Sequence, residues 1–190
     1  MEIIIQKEEN NINLYDISLI TESDIEQILK IMISFWLEEG DFSRKTLKSV
    51  INEGLSFSIK IKDEIIGFCL LKREVINDGY IFAICVKKDY QHKGLGYKIL
   101  DYCINNAKKV QVINNFYLHV SMNNEYAINL YKKLGFIVKK SYKNYFHSKK
   151  NPERNPAYLM IKEIKIIIIQ NLKIKLKTKK KPIIKKMLMQ

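Results

Sequence analysis

Apolar residues along this chain change their spacing several times, and each change marks a new element. Ile25, Ile28, Leu29, Met32, Phe35 and Trp36 fall on one helical face. They predict a helix over 24–38, with Ser23 and Glu26 as a capping box and Gly40 as its stop. A shorter helix over 44–53 aligns Leu47, Val50 and Ile51, and Gly54 follows it. The period then falls to two. Phe57, Ile59 and Ile61 alternate with polar residues and predict a half-exposed strand. After a tight turn at Lys62-Asp63-Glu64, residues 65–72 form a nearly continuous apolar run, as expected of a strand covered on both faces. Asn77-Asp78-Gly79 is a turn signal, and 80–86 is the next strand.

Helical spacing returns with Ile99, Leu100, Cys103, Ile104 and Ala107. A strand at 116–120, a helix over 124–134 ended by Gly135, and closing strands at 136–138 and 158–164 complete the pattern. The order is two helices, three strands, a helix, a strand, a helix and two strands. That order predicts an α/β fold with a mixed sheet, in one domain over residues 1–164.

Composition narrows the class. The 190 residues are 47% hydrophobic and 28% charged, which excludes a wholly disordered chain. The longest apolar runs, 65–71 and 80–86, are far below the ~20 residues of a membrane-spanning helix. Met1-Glu2-Ile3 lacks the basic segment of a secretory leader. Cys69, Cys85 and Cys103 form no C-x-x-C pair, so they predict buried free thiols, no metal site and a reducing, cytoplasmic location. The net charge of +13 is unevenly spread: residues 171–190 hold eight lysines and no acid, leaving +5 for the rest. The folded part is therefore not read as DNA-binding. The tail, 165–190, alternates apolar and basic residues before a lysine run. It reads as a solvated extension, or as a basic element for an anionic membrane or ribosomal RNA.

One loop suggests chemistry. Gln91-His92-Lys93-Gly94-Leu95-Gly96 lies between a strand and a helix. Two glycines let the backbone approach a phosphate, and the first amides of the helix have no partner within it. Lys93 adds positive charge. The loop is neither a G-K-[ST] phosphate loop nor a full G-x-G-x-x-G, because Ile99 stands at the third glycine position.

The Q-x-x-G-x-G loop is followed by Asn124-Glu125-x-Ala127-x-x-x-Tyr131-x-x-x-Gly135-Phe136. Together they resemble the GNAT superfamily of acetyl-CoA-dependent N-acyltransferases, over about residues 17–164. Within it, Tyr80-Ile81, Tyr117-Leu118-His119-Val120, Tyr131-Lys132-Lys133 and Lys143-Asn144-Tyr145-Phe146 resemble the NatE type of N-terminal acetyltransferase, with the Golgi-associated NatF type a near relative. The resemblance implies a GNAT fold, a mixed central sheet flanked by helices, and acetyl-CoA as co-substrate without a metal. It implies that Val86 meets the pantetheine arm, that Gln91, His92, Lys93, Gly94, Leu95 and Gly96 wrap the pyrophosphate, and that Asn124 bonds the cofactor near its bend. Tyr131 is implied beside the sulfur, Tyr80 and His119 as a general-base pair acting through water, and Tyr145 as a peptide-binding residue. Each also has an ordinary reading: His119 and Tyr80 as strand residues, Tyr131 as core, Asn124 as a helix N-cap.

One stretch departs from the resemblance. NatE-type enzymes carry Phe-Pro-[Val/Ile]-x-Tyr between the first two helices, lining the acceptor pocket. Here the stretch reads Glu38-Glu39-Gly40-Asp41-Phe42. Glu38, Glu39 and Phe42 thus become the candidate acceptor-binding residues, and the acid suits a cationic acceptor. The expected reaction is acetylation of a protein N-terminus. Lysine side chains or polyamines are the rival acceptors. A non-catalytic scaffold bound to a Nat complex or ribosome is the rival role.

Overall fold

The computed structural model describes residues 15–36, 43–74, 77–110, 113–146 and 155–164. Its strands are β1 (Asp16–Leu19), β2 (Phe57–Ile61), β3 (Glu64–Glu74), β4 (Asp78–Val86), β5 (Asn115–Ser121), β6 (Ile137–Phe146) and β7 (Asn155–Glu163). Its helices are α1 (Ile25–Trp36), α2 (Arg44–Ile51), α3 (Leu95–Val110) and α4 (Glu125–Lys133). The strands make one sheet in the order β1-β2-β3-β4-β5-β7-β6. Only β4 and β5 run parallel. A parallel pair needs a crossover, and α3 supplies it.

The helices cover the sheet unequally. Ile99, Leu100, Cys103 and Ala107 of α3, with Ile128 and Tyr131 of α4, pack on Ile59, Phe116, Leu118, Val120 and Met160. On the other face, Ile28 and Met32 of α1 and Leu47 and Val50 of α2 cover Phe68, Leu70, Ala83 and Cys85 of β3 and β4 only. No described helix covers β5, β7 and β6 on that side. The three cysteines are buried and free. No described helix is long and apolar enough to cross a membrane.

Four readings of the sequence are corrected. The chain opens on β1, which the spacing missed: it has four residues, and one of its two apolar ones, Leu19, is exposed. The cap of the first helical segment is Thr21, whose N–H donates to Asp24 Oδ2 at 3.0 Å. A 3₁₀ turn at Glu22–Asp24 moves the start two residues earlier than Ser23, and Glu26 instead pairs with Arg44. β2 is not half-exposed, because Ser58 on its polar face is fully buried. β6 has ten residues rather than three. It is a largely exposed edge strand, so its Lys-Lys-Ser-Tyr-Lys stretch carries no apolar alternation. Gly40 and the tail, 165–190, lie outside the described residues.

Candidate active site

The site opens where two strands part. β4 and β5 pair at Asp78↔Asn115, Gly79↔Phe116 and Tyr80↔Tyr117, and no further. Both strands continue, to Val86 and Ser121. Beyond Tyr80, no described strand pairs with that edge of β4. A cleft of about 1650 Å³ fills the fork, between β4, β5, the loop before α3, α4 and Tyr145. β4 also carries a bulge: Leu70 faces Ala83 and Leu71 faces Ile81, leaving Phe82 extra. The bulge switches faces, so Ile81 joins the α3–α4 core while Ala83 and Cys85 join the other.

One end of the cleft is built from backbone. Gln91 Nε2 donates to the Val86 carbonyl at 2.8 Å and ties the loop to the end of β4. His92 (φ 62°) and Gly94 (φ 77°) both turn left-handed. That conformation is rare for a non-glycine residue and reshapes the chain before α3. Among the described residues, the main-chain N–H groups of His92 to Gly96 have no backbone acceptor. They form a cradle for an anion at a helix start. Lys93 lies beside it, its ammonium 5.5 Å from the Tyr90 ring centre. Leu95 anchors the helix in the core. Asn124 caps α4, its Oδ1 accepting the Ala127 N–H at 3.1 Å. The cap occupies the oxygen only, and Asn124 also lines the cleft. The exposed ring of Tyr126 meets His92 edge-on at 5.1 Å.

Tyr131 lines the middle of the cleft and is buried against Phe136, ring centres 5.9 Å apart. Burial raises its phenol pKa well above the ordinary tyrosine value.

The other end is built from side chains. Tyr80 Oη lies 3.4 Å from His119 Nδ1, a long hydrogen bond. The His119 ring stacks on Tyr145 at 4.2 Å and 13°. Tyr117 lies 5.0 Å from Tyr80, and Tyr142 lies 5.8 Å from His119. Burial lowers the His119 pKa, which keeps the imidazole neutral at pH 7. Burial, then Tyr145, raises Tyr80. Burial, then the Glu74 carboxylate, pushes Tyr117 up to about 12.

The structure thus gathers Tyr80, His119, Tyr131 and Tyr145 with Val86, Gln91, His92, Gly94, Leu95, Gly96 and Asn124 along one cleft. Lys93 sits in the same loop. Glu38, Glu39 and Phe42 lie outside the described residues. Sequence reasoning missed Tyr142 and Tyr126. Tyr142 sits in a lysine-rich stretch, and only the strand register brings it beside His119. Tyr126 had one available signal, as an exposed aromatic in the first turn after Asn124.

Comparison with known proteins agrees with this geometry. Residues 25–136 match the acetyltransferase (GNAT) family. N-alpha-acetyltransferase 50 of Danio rerio is 34% identical over 86 residues, 45% of this chain and 49% of that protein, so the match spans about half its length. An N-alpha-acetyltransferase of Sulfurisphaera tokodaii is 29% identical over 119 residues, covering 57% of this chain and 68% of that protein. The structure of Arabidopsis thaliana Naa50 in complex with the bisubstrate analogue CoA-Ac-MVNAL superposes with a TM-score of 0.65 at 25% identity, covering 79% of this chain and 99% of that one. With residues 25–136, more than half its length, matched, this chain belongs to the acetyltransferase (GNAT) family.

Proposed function

We propose that this chain transfers the acetyl group of acetyl-CoA to the α-amine of a polypeptide N-terminus. One observation carries the reading: the His119–Tyr80–Tyr145 cluster stands where β4 and β5 part, at the head of a cleft whose other end suits a phosphate. Its relatives support it, since similar proteins are N-alpha-acetyltransferases and a similar structure is a complex with the bisubstrate analogue CoA-Ac-MVNAL.

The residues fit the co-substrate. The unpaired amides of His92 to Gly96 suit its pyrophosphate. The edge of β4 before Val86, which no described strand covers, suits the amide groups of its pantetheine arm. Bound there, acetyl-CoA supplies an acetyl group activated as a thioester.

The chain's own residues manage the protons. We assign the tautomer in which His119 Nδ1–H donates to Tyr80 Oη. His119 Nε2 then keeps a free lone pair. His119 is the better base, because burial holds it neutral, whereas Tyr80 is held protonated. Tyr80 and Tyr145 orient it. An α-amine with pKa near ~8 suits such a base better than a lysine amine near ~10.4. A β4 amide near the bulge is suited to negative charge on the carbonyl oxygen. Tyr131, raised by burial, acts as a hydrogen-bond donor to the leaving sulfur, since full proton transfer from it to a thiolate is uphill.

This reading extends to the setting. The buried free thiols suit a reducing cytoplasm, and the basic tail suits an anionic surface where nascent chains emerge. Mass spectrometry of a mixed library of peptides and small amines with acetyl-CoA tests the reaction. Label on α-amines is expected. Label confined to lysine side chains or polyamines overturns it.

A further inference from the structure

On the face of β5, β7 and β6 beside His119, Lys140 has no carboxylate partner among the described residues. Antiparallel partners share a face, so the register sorts the side chains. His119 pairs with Leu159, and Leu159 pairs with Lys140. His119, Leu159 and Lys140 therefore form one row across three strands. Tyr142, Ala157 and Ser121 form the next. A bulge puts Lys140 there. Val138 pairs with Met160 and Lys140 with Leu159, so Lys139 is the extra residue. In a regular strand Lys139 would face the cleft and Lys140 the other way.

Lys140 is exposed, and its ammonium sits 4.7 Å from the Tyr142 ring centre, a cation–π contact that holds it over the aromatic floor. Tyr142 in turn lies 5.8 Å from His119 and 5.5 Å from Tyr145. Among the described residues, no carboxylate pairs with Lys140. Glu74 and Asp78, toward the Tyr117 end, are engaged, with Lys72 at 3.0 Å and Asn115 at 2.9 Å.

We propose that Lys140 selects acceptor polypeptides that carry an acidic side chain among the second to fourth residues, at the third above all. The proposal rests on the N-terminal acetylation reading above and names the substrate class of that same site. Two strand spacings separate His119 from Lys140, roughly 10 Å of backbone. An extended acceptor rises ~3.3 Å per residue, so with its amine at His119 its second to fourth residues span that distance. Over this floor the ammonium attracts a carboxylate and repels a second cation. Charge complementarity of this kind sets selectivity more than absolute affinity.

The test uses the full chain and three peptides that differ only at the third residue: Glu, Ala or Lys. The expected order of kcat/KM is Glu, then Ala, then Lys, with about 2–5-fold per step, as for exposed charge pairs. Raising the salt should compress the order. Lys140→Ala should flatten it, and Lys140→Glu should reverse it. Lys140 is exposed, and calorimetry with acetyl-CoA checks that each variant is folded and loaded. Turnover of all three peptides with the same order in Lys140→Glu overturns this inference alone. No turnover of any peptide overturns the N-terminal reading and this inference with it.

Discussion

The two ends of the cleft recognise by different means. The cofactor end is built from short local stretches: Val86, the loop 91–96 and the first turns of α3 and α4. What it offers is main chain, amides freed by two left-handed residues and a helix start. The acceptor end draws Tyr80, His119, Tyr145, Tyr142 and Lys140 from three separate strands. What it offers is side chains, and their faces depend on a fork and three register shifts. Backbone recognition tolerates changes of side chain around it. Side-chain recognition is lost or re-aimed by a single slip of register. A single substitution should therefore disable one end and spare the other.

The largest effect is expected at the acceptor end. His119→Ala should lower kcat by about 10²–10⁴-fold, the usual contribution of one general base. Acetyl-CoA affinity, measured by calorimetry, should hardly change. The pH profile gives a second check. Burial lowers the His119 pKa below its ordinary 6.5, so the base is neutral at pH 7 and is protonated only as the pH falls through that lowered value. The unmutated enzyme should lose activity on that acidic side, and the variant's residual rate should lack that limb. Full turnover with an unchanged profile would make His119 a packing residue.

The converse substitution is Gly94→Glu. Added bulk meets open space, so crowding is not the obstacle. The obstacle is φ 77°, which costs a non-glycine residue about 1–2 kcal/mol, together with a carboxylate beside a pyrophosphate. At ~1.4 kcal/mol per tenfold, acetyl-CoA affinity should fall at least ~10-fold. Turnover at saturating cofactor should survive. Gly94→Ala, which keeps the strain without the charge, should show a smaller loss. Equal loss in kcat and affinity would mean that the two ends are not separable.

The same contrast explains what could be read from the chain. Gly94, Gly96 and Asn124 were legible because each acts within a few residues: a turn, a helix start, a cap. The helices α1 to α4 were legible because their apolar faces repeat locally. β1 and most of β6 were not, because edge strands with polar faces are specified by their partners. His119 and Tyr80 could be named through a family resemblance, but 39 residues part them and only the β4–β5 register brings them to 3.4 Å. Lys140 was invisible as a site residue, because nothing local distinguishes it from Lys139.

A smaller, shared effect is expected where the ends meet. Gly79 pairs with Phe116 one step before the fork. A Cβ at Gly79 would lie 2.8 Å from the Phe116 ring, and that ring is fully buried. Gly79→Ala should cost about 1–3 kcal/mol by overpacking. At ~2–4 °C per kcal/mol for a chain of this size, Tm should fall by roughly 2–12 °C. Because the fork itself shifts, kcat and cofactor affinity should fall together, unlike in either variant above. An unchanged Tm would show that the Phe116 ring yields freely.

The smallest effect on turnover is expected from removing the tail after Lys165. Every element of the two ends closes before that point. β7 ends at Glu163, and the Ile164 N–H donates to the Asn114 carbonyl at 2.7 Å, which ties the last described residue to the start of β5. All described residues of the acceptor face and the cofactor loop precede the cut, and kcat/KM on a soluble peptide should stay within about 2-fold of the full chain, the scale of a remote surface change. The tail's eight lysines between 171 and 190 act instead through long-range charge. Near an anionic surface each contributes up to ~1 kcal/mol, screened within a Debye length. Binding to anionic vesicles, measured by co-sedimentation across a salt series, should therefore weaken on truncation and lose most of its salt dependence. A truncated protein that keeps its Tm yet loses turnover would place part of the acceptor end beyond residue 164, and the cleft described here would be only half of the site.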